Sequence, residues 1–321
     1  MQLQTTWGWL IAVYFFLGGL GAGAFCVVAL ISLFTGERFK PTVRFGAWAS
    51  SICIAVGVSA LLFEVGVPLR AIVLYQSFVN FNSWMAIGAW LLFFAILFNG
   101  LFALLWTDRV LAWLEKKAKW VVQYRAIIRA LLALVGIVVN VGVAVYTGIL
   151  LNVLPFRPFW NTYLLPVLFT TSALDTGLGL VTAYATLREK GPGVERLRTM
   201  LEVFVILAII AEGAVLAYYL QTMLNGSSDV VVSAQLLISG LLSPAFWIAV
   251  VGLGLMVPLL ICLVQLTGIL KRAPAVTPMV AISSCLIGGF TLRAVMLLAG
   301  LPQTLSSPAL QQILQGVRFS P

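Results

Sequence analysis

Eight long apolar stretches, a low content of charge and an alternation of basic connections predict an all-α integral membrane protein. The expected fold is a bundle of about eight transmembrane helices with both termini outside, on the periplasmic side. Of 321 residues, 62% are hydrophobic and 9% are charged, and the mean hydropathy is +1.08. A soluble domain carries about 25% charged residues, so this chain lacks the polar surface to cover itself in water. In lipid the shortage disappears, because the outside of a bundle is apolar and each helix satisfies its own backbone.

A span needs about 20 mostly apolar residues. The first, 7–34, opens at Trp7 and Trp9, closes at Gly36 and carries a glycine-rich core from Gly18 to Gly23. Small residues at this density let a neighbouring helix approach closely. No strand precedes them, so they are read as a packing surface rather than a dinucleotide fingerprint. The second span, 43–66, lies between Pro41 and Pro68; the third, 84–106, follows Asn82 and Ser83. The fourth, 125–151, runs from Arg125 to the loop containing Pro155 and Pro158, and the fifth, 162–187, ends before Gly191-Pro192-Gly193. The sixth, 199–223, stops at Asn225-Gly226, the seventh, 243–270, before Pro274, and the eighth, 278–301, begins at Pro278. Glycine, proline and asparagine are the expected breakers between such segments. No long polar linker divides the chain, so residues 1–321 are read as a single membrane domain.

Charge sets the orientation. Fifteen of the nineteen basic residues fall on the connections after spans 1, 3, 5 and 7, counted with the adjoining helix ends. They are Arg38, Lys40, Arg44, Arg109, Lys116, Lys117, Lys119, Arg125, Arg129, Arg188, Lys190, Arg196, Arg198, Lys271 and Arg272. The positive-inside rule places those connections in the cytoplasm and both termini outside. The net charge of +9 is thus a topology signal that also attracts anionic lipid, and no nucleic-acid partner is expected. No basic residue precedes Trp7, so the first span is read as a retained helix rather than a cleaved leader. Trp7, Trp9, Trp160 and Trp247 at the outer ends, and Trp106, Trp113 and Trp120 at the inner ends, read as aromatic belts.

The chain has no histidine, which excludes a bis-histidine haem, and Cys26, Cys53, Cys262 and Cys285 fall singly in different spans. None has the spacing of an iron–sulfur ligand set. A role in electron transfer would therefore require a diffusible carrier and a partner. Ionisable groups inside spans are costly and mark function by default. They are Glu64, Asp175, Glu202, Glu212 and Arg293. At about 1.5 Å per residue, Glu212 and Arg293 lie at similar heights, roughly 20 Å from the inner ends of their helices. A buried Glu212–Arg293 ion pair is possible. So is a proton relay, since Glu202, Asp175, Glu212 and Glu64 sit at graded depths.

Polar and aromatic groups also gather at the outer ends: Tyr14, Glu64, Arg70, Asn82 and Tyr146. A quinone requires an apolar slot, hydrogen-bond donors at its carbonyls and a proton acceptor, which Tyr146 and Glu64 could supply. A tyrosine at a helix end also serves as an interface anchor, so these residues alone leave both readings open.

Five stretches in order resemble the NrfD/PsrC-like membrane subunits of polysulfide-reductase-type complexes. They are Trp7 to Gly23; Asn82 to Met85 with Gly88 and Trp90; Tyr146-Thr147-Gly148; Pro158 to Thr162 with Leu165-Pro166 and Ser172 to Leu174; and Gly288 to Arg293. The resemblance implies a multi-pass anchor in a bacterial or archaeal cytoplasmic membrane. Such an anchor binds menaquinone or ubiquinone and holds no haem or iron–sulfur cluster of its own. It also implies a ferredoxin-like iron–sulfur partner and a catalytic subunit, usually a molybdopterin enzyme, docked outside on the loops around 67–83, 152–161 and 224–242. Tyr146 matches the family's quinone-contacting tyrosine. Tyr14 stands where some relatives have histidine, and Glu64 to Arg70 departs from an Asp-Leu-Gly-Arg-Pro pattern, with Glu64 for Asp and Val67 for Arg. A secondary transporter or proton-translocating channel subunit is the rival reading. Its mark would be helices broken at midplane, with Pro166 and Pro258 as the candidates.

Overall fold

The computed structural model describes residues 7–64, 83–267 and 276–302. Among these, eight helices are long and apolar enough to cross a membrane. They are α1 (Trp9–Thr35), α2 (Lys40–Glu64), α3 (Trp84–Leu105), α6 (Arg125–Asn152), α7 (Leu164–Arg188), α8 (Val194–Leu224), a composite span Ala245–Leu266, and α11 (Val276–Leu298). Each overlaps one expected span. The short helices α4 (Asp108–Lys117), α5 (Lys119–Gln123) and α9 (Ser228–Ile238) lie between spans and are not among the elements expected from the sequence.

Helix α1 is the hub. Its most apolar stretch is 78% buried, against 56% for α7 and α11 and 28–33% for the others, and it packs on α2, α6, α7 and α11. The glycine-rich segment explains this. A Cβ on Gly21 would overlap the Ser50 carbonyl of α2, and one on Gly23 would overlap the Ala173 carbonyl of α7. Backbone-to-backbone contact on two sides suits a bundle whose helices gain little from the hydrophobic effect in lipid and associate by close packing.

The composite span opens as a π-helix, Ala245–Met256, and becomes α-helical as α10 (Val257–Leu266). The change falls at Pro258, which has no N–H to bond the carbonyl of Gly254. Gly254 in turn meets Gly288 of α11 backbone to backbone. Pro166 sits in the first turn of α7, where proline is tolerated, and α7 continues unbroken to Arg188.

The side carrying the basic loops is tied together by ion pairs and caps. Arg129, 4% exposed, donates to the Leu105 carbonyl at the end of α3 through Nε and Nη2 (3.1 and 2.6 Å) and to Glu37 at 2.6 Å. Its guanidinium lies 4.1 Å from the ring centroid of Trp106. A cation suits a helix C-terminus, where the unpaired carbonyls carry partial negative charge. Lys40 and Arg44 pair with Asp108, and buried Glu189 accepts hydrogen bonds from the Thr42 backbone and hydroxyl in the first turn of α2.

Two expected belt residues are core residues instead. Trp106 is 1% exposed and Trp160 is fully buried, with its Nε1 donating to the Met296 carbonyl at 2.8 Å. Arg157 stacks on Trp160 and donates to the Gly300 carbonyl, and Tyr219 donates to the Phe159 carbonyl at 2.6 Å. The Pro158–Thr162 stretch is thus a plug that fastens the α6–α7 connection to α8 and α11. The Trp160 indole N–H, held by a carbonyl, is buried without penalty; Trp106 Nε1 has no partner among the described residues, and that ring is covered by the Arg129 guanidinium instead. Trp9, Trp113, Trp120 and Trp247 remain exposed.

Candidate functional site

Three of the expected outer-end residues lie along the first turns of α1, Glu64 at its N-terminus and Tyr14 with Tyr146 further in. Glu64, the last residue of α2, accepts a hydrogen bond from the Gly8 N–H at 2.9 Å. Its carboxylate therefore caps the N-terminus of α1, where negative charge is favoured. Further along α1, Tyr14 is fully buried, and its hydroxyl has no hydrogen-bond partner among the described residues. Tyr146 of α6 is 5% exposed and belongs to the same apolar cluster as Tyr14. The Tyr146 ring lies over Gly88 of α3, where any Cβ would overlap it. Gly88 is therefore the residue that lets this phenol lie between α6 and α3. Arg70 and Asn82 lie outside the described residues.

A second constellation is buried in the middle of the bundle. Arg293 of α11 is fully buried and donates from Nε to the Phe15 carbonyl of α1 at 3.1 Å. Its Nη1 donates to the Ser172 hydroxyl of α7 at 3.0 Å and to the Gly289 carbonyl at 2.8 Å. The Phe169 and Phe16 ring centroids lie 5.5 and 5.8 Å from the guanidinium. Its Nη2, beside Gly19, has no partner among the described residues.

Glu212 of α8, also buried, lies beside Ser172. No ion pair among the described residues involves Glu212 or Arg293. The expected direct pair is thus replaced by an arrangement in which a serine hydroxyl stands between the two charges. Asp175, one turn beyond Ser172 on α7, accepts from the Cys285 thiol at 3.4 Å through Oδ2 and leaves Oδ1 without a partner. The two carboxylates and the guanidinium therefore occupy one low-dielectric site with hydrogen-bonding capacity in reserve. Such groups are expensive to bury and are retained where they act.

Below Asp175, toward the basic loops, a small crevice of about 30 Å³, room for about one water, opens between the ends of α7 and α10 and the start of α11. Thr182, Cys262, Gln265 and Cys285 line it, and the Thr182 hydroxyl is buried without a partner. Glu202 of α8 is 8% exposed and lies on the same side, within electrostatic reach of Cys262. Glu202, Asp175 and Glu212 thus run from the crevice toward Arg293.

Sequence reasoning misses one buried polar group. Asn99 of α3 donates to Ser50 of α2 at 2.7 Å and exchanges hydrogen bonds of 3.0 and 2.8 Å with Asn140 of α6. Asn140 also donates to the Gly136 carbonyl at 2.8 Å. A signal for it exists in the sequence: each is an amide within an apolar span, where interhelical hydrogen bonding is the usual reason for a polar residue.

A model of the polysulphide reductase, NrfD family matches residues 1–304, which takes in every helix described above. The C subunit of polysulfide reductase from Wolinella succinogenes is 31% identical over 271 residues, covering 79% of this chain and 82% of that protein. Protein NrfD of Escherichia coli is 26% identical over 313 residues, covering 92% of this chain and 94% of the relative. An NrfD homologue from Haemophilus influenzae is 24% identical over 266 residues, covering 79% and 82%. Eight apolar helices and these relatives place the protein among the multi-pass proteins of the bacterial inner membrane. It belongs to the polysulphide reductase, NrfD family of respiratory reductase membrane subunits.

Proposed function

We propose that this chain binds a membrane quinone, menaquinone or ubiquinone, at the end of the bundle formed by α1, α3 and α6. There it exchanges electrons with an iron–sulfur partner subunit on the face opposite the basic loops. The partner is ferredoxin-like and passes electrons to or from a catalytic subunit of the molybdopterin class, a pairing that rests on the family resemblance alone. The observation that carries the reading is Tyr14, a fully buried phenol whose hydroxyl has no partner among the described residues, in the same cluster as the Tyr146 phenol. An unmet buried donor is unfavourable by about 1–3 kcal/mol unless something accepts its hydrogen bond. Aromatic and aliphatic walls with a few convergent hydroxyls are what a quinone head group requires. When bound, the quinone supplies two-electron, two-proton redox chemistry. Tyr14 and Tyr146 orient its carbonyls by donating hydrogen bonds, and Glu64, at the α1 N-terminus against Gly8, six residues before Tyr14, takes or returns protons.

Tyr146→Phe removes one hydroxyl and little volume. In the assembled complex it should weaken quinol turnover about threefold to tenfold, matching the loss of one hydrogen bond of about 0.5–1.5 kcal/mol. Activity with a soluble donor that bypasses quinol should persist. Unchanged quinol oxidation in Tyr146→Phe, with activity abolished by a substitution near the basic loops, would place the quinone at the other end and overturn the assignment.

The crevice supports a second element of the reading, in which Glu202, Asp175, Glu212 and Arg293 form a proton relay from the basic-loop side toward the quinone. Carboxylates at spaced depths with spare acceptors can pass protons through intervening hydroxyls and water. Asp175→Asn keeps the shape but cannot release a proton. In proteoliposomes it should abolish pH changes linked to turnover on the basic-loop side, while uncoupled electron transfer continues. Normal proton uptake in Asp175→Asn excludes the relay, and proton movement without quinol would favour the transporter reading.

A further inference from the structure

We infer that helices α4 and α5 form an in-plane anchor that binds anionic phospholipid head groups at the membrane surface. The two helices connect α3 to α6, both membrane spans, through Trp106-Thr107 on one side and Tyr124 on the other. These links hold the segment at the interface. Neither helix buries a residue in the bundle. On the α4 wheel, Val110, Leu111, Trp113 and Leu114 share one face, which Lys117 closes at the C-terminal end, while Asp108 and Glu115 lie on one flank and Arg109 and Lys116 on the other. The acidic flank turns toward the protein, since Asp108 is paired with Lys40 and Arg44 of α2.

The basic flank and the lysines at the α4–α5 junction, Lys117 and Lys119, are left over. Arg109, Lys116, Lys117 and Lys119 are all exposed, and none takes part in an ion pair among the described residues. Beside them Trp113 is 59% and Trp120 63% exposed. A short helix with an apolar face, exposed tryptophans and unpaired cations lies in the head-group plane, apolar face down. Long basic side chains reach from that plane to the phosphates above it. A soluble acidic partner would account for the cations but leave Val110, Leu111, Trp113 and Trp120 in water. The lipid surface satisfies both faces, because each cation near an anionic leaflet strengthens binding roughly fivefold.

The test uses the full chain in nanodiscs of phosphatidylglycerol or of phosphatidylcholine, followed by hydrogen–deuterium exchange of residues 108–123. Exchange should be about tenfold slower or more in the anionic discs. About 1 M salt, where the screening length falls to about 3 Å, should remove most of that difference. The variant Arg109→Gln/Lys116→Gln/Lys117→Gln/Lys119→Gln should lose it without salt. These exposed side chains support no packing, so exchange in α1 and α7 checks that the bundle is intact. Equal exchange in both lipids, or a difference that survives the four substitutions, overturns the proposal. Protection that develops only on adding the other subunits of the complex likewise overturns it and assigns the surface to a protein.

Discussion

The bundle holds two polar clusters at its core, and they are built on opposite terms. Asn99, Asn140 and Ser50 are neutral, and the two amides exchange hydrogen bonds in both directions while binding a serine and a backbone carbonyl. Arg293, Ser172, Glu212 and Asp175 include three ionisable groups and leave Arg293 Nη2 and Asp175 Oδ1 without partners. A satisfied amide pair joins α2, α3 and α6 and has little left to offer a proton or a ligand. The charged cluster lies under the hub helix with its hydrogen-bonding capacity incomplete. Burial alone therefore does not separate glue from machinery in this protein. The separating property is whether the buried group's capacity is used up.

The largest effect should come from Arg293→Ala. It strips the donor from the Phe15 and Gly289 carbonyls and from Ser172, and it leaves two buried carboxylates without their compensating cation. Removing one member of a buried charged group is unfavourable by about 3–5 kcal/mol, so the yield of folded protein in detergent should fall sharply. Arg293→Lys should recover little, because one ammonium cannot reach three acceptors on α1, α7 and α11. Adding Glu212→Gln to Arg293→Ala should recover part of the loss if the charges are coupled through Ser172. A thermal-unfolding series on these variants decides it, and additive losses would break the claim that they act as one cluster.

The amide pair should respond with a different pattern. Asn99→Leu alone leaves Asn140 unsatisfied, for about 1–2 kcal/mol in stability. The double variant Asn99→Leu/Asn140→Leu leaves no amide stranded and should sit closer to the parent than either single change. Quinol turnover should be unaffected throughout. Loss of turnover in the stable double variant would move this cluster from glue to machinery.

The smallest effect concerns the basic-loop side. Glu37 is held below the ordinary glutamate range, chiefly by the hydrogen bond from Arg129. A lowered folded-state pKa gives stabilisation that is complete above the unfolded value and disappears as pH falls through the folded one. The wild type should therefore lose its advantage over Glu37→Gln as pH drops below the ordinary glutamate range and keep it above. Glu37 is half exposed, so solvent screening limits the difference to about 1 kcal/mol or less.

Several features of this protein were determined by sequence alone. The eight spans are legible because crossing a hydrocarbon core imposes a length and a composition, and both are local properties of the chain. The glycine-rich stretch of α1 announced a close-packed helix for the same reason, although not which neighbours it would touch. The family was legible from five short stretches in order, which the match over residues 1–304 bears out. Other features were settled only in three dimensions. Trp106 and Trp160 read as interface residues, but the fold gives the Trp160 indole N–H a carbonyl and lays a guanidinium over the Trp106 ring. Glu64 read as a proton acceptor at the outer end of its span, and only the fold shows its carboxylate against the Gly8 N–H that precedes α1. Glu212 and Arg293 were placed at one height from helical rise, but rise fixes depth and leaves rotation about each helix axis open. That rotation put Ser172 between them, and it comes from packing α7, α8 and α11 around α1, which no single segment of the chain encodes.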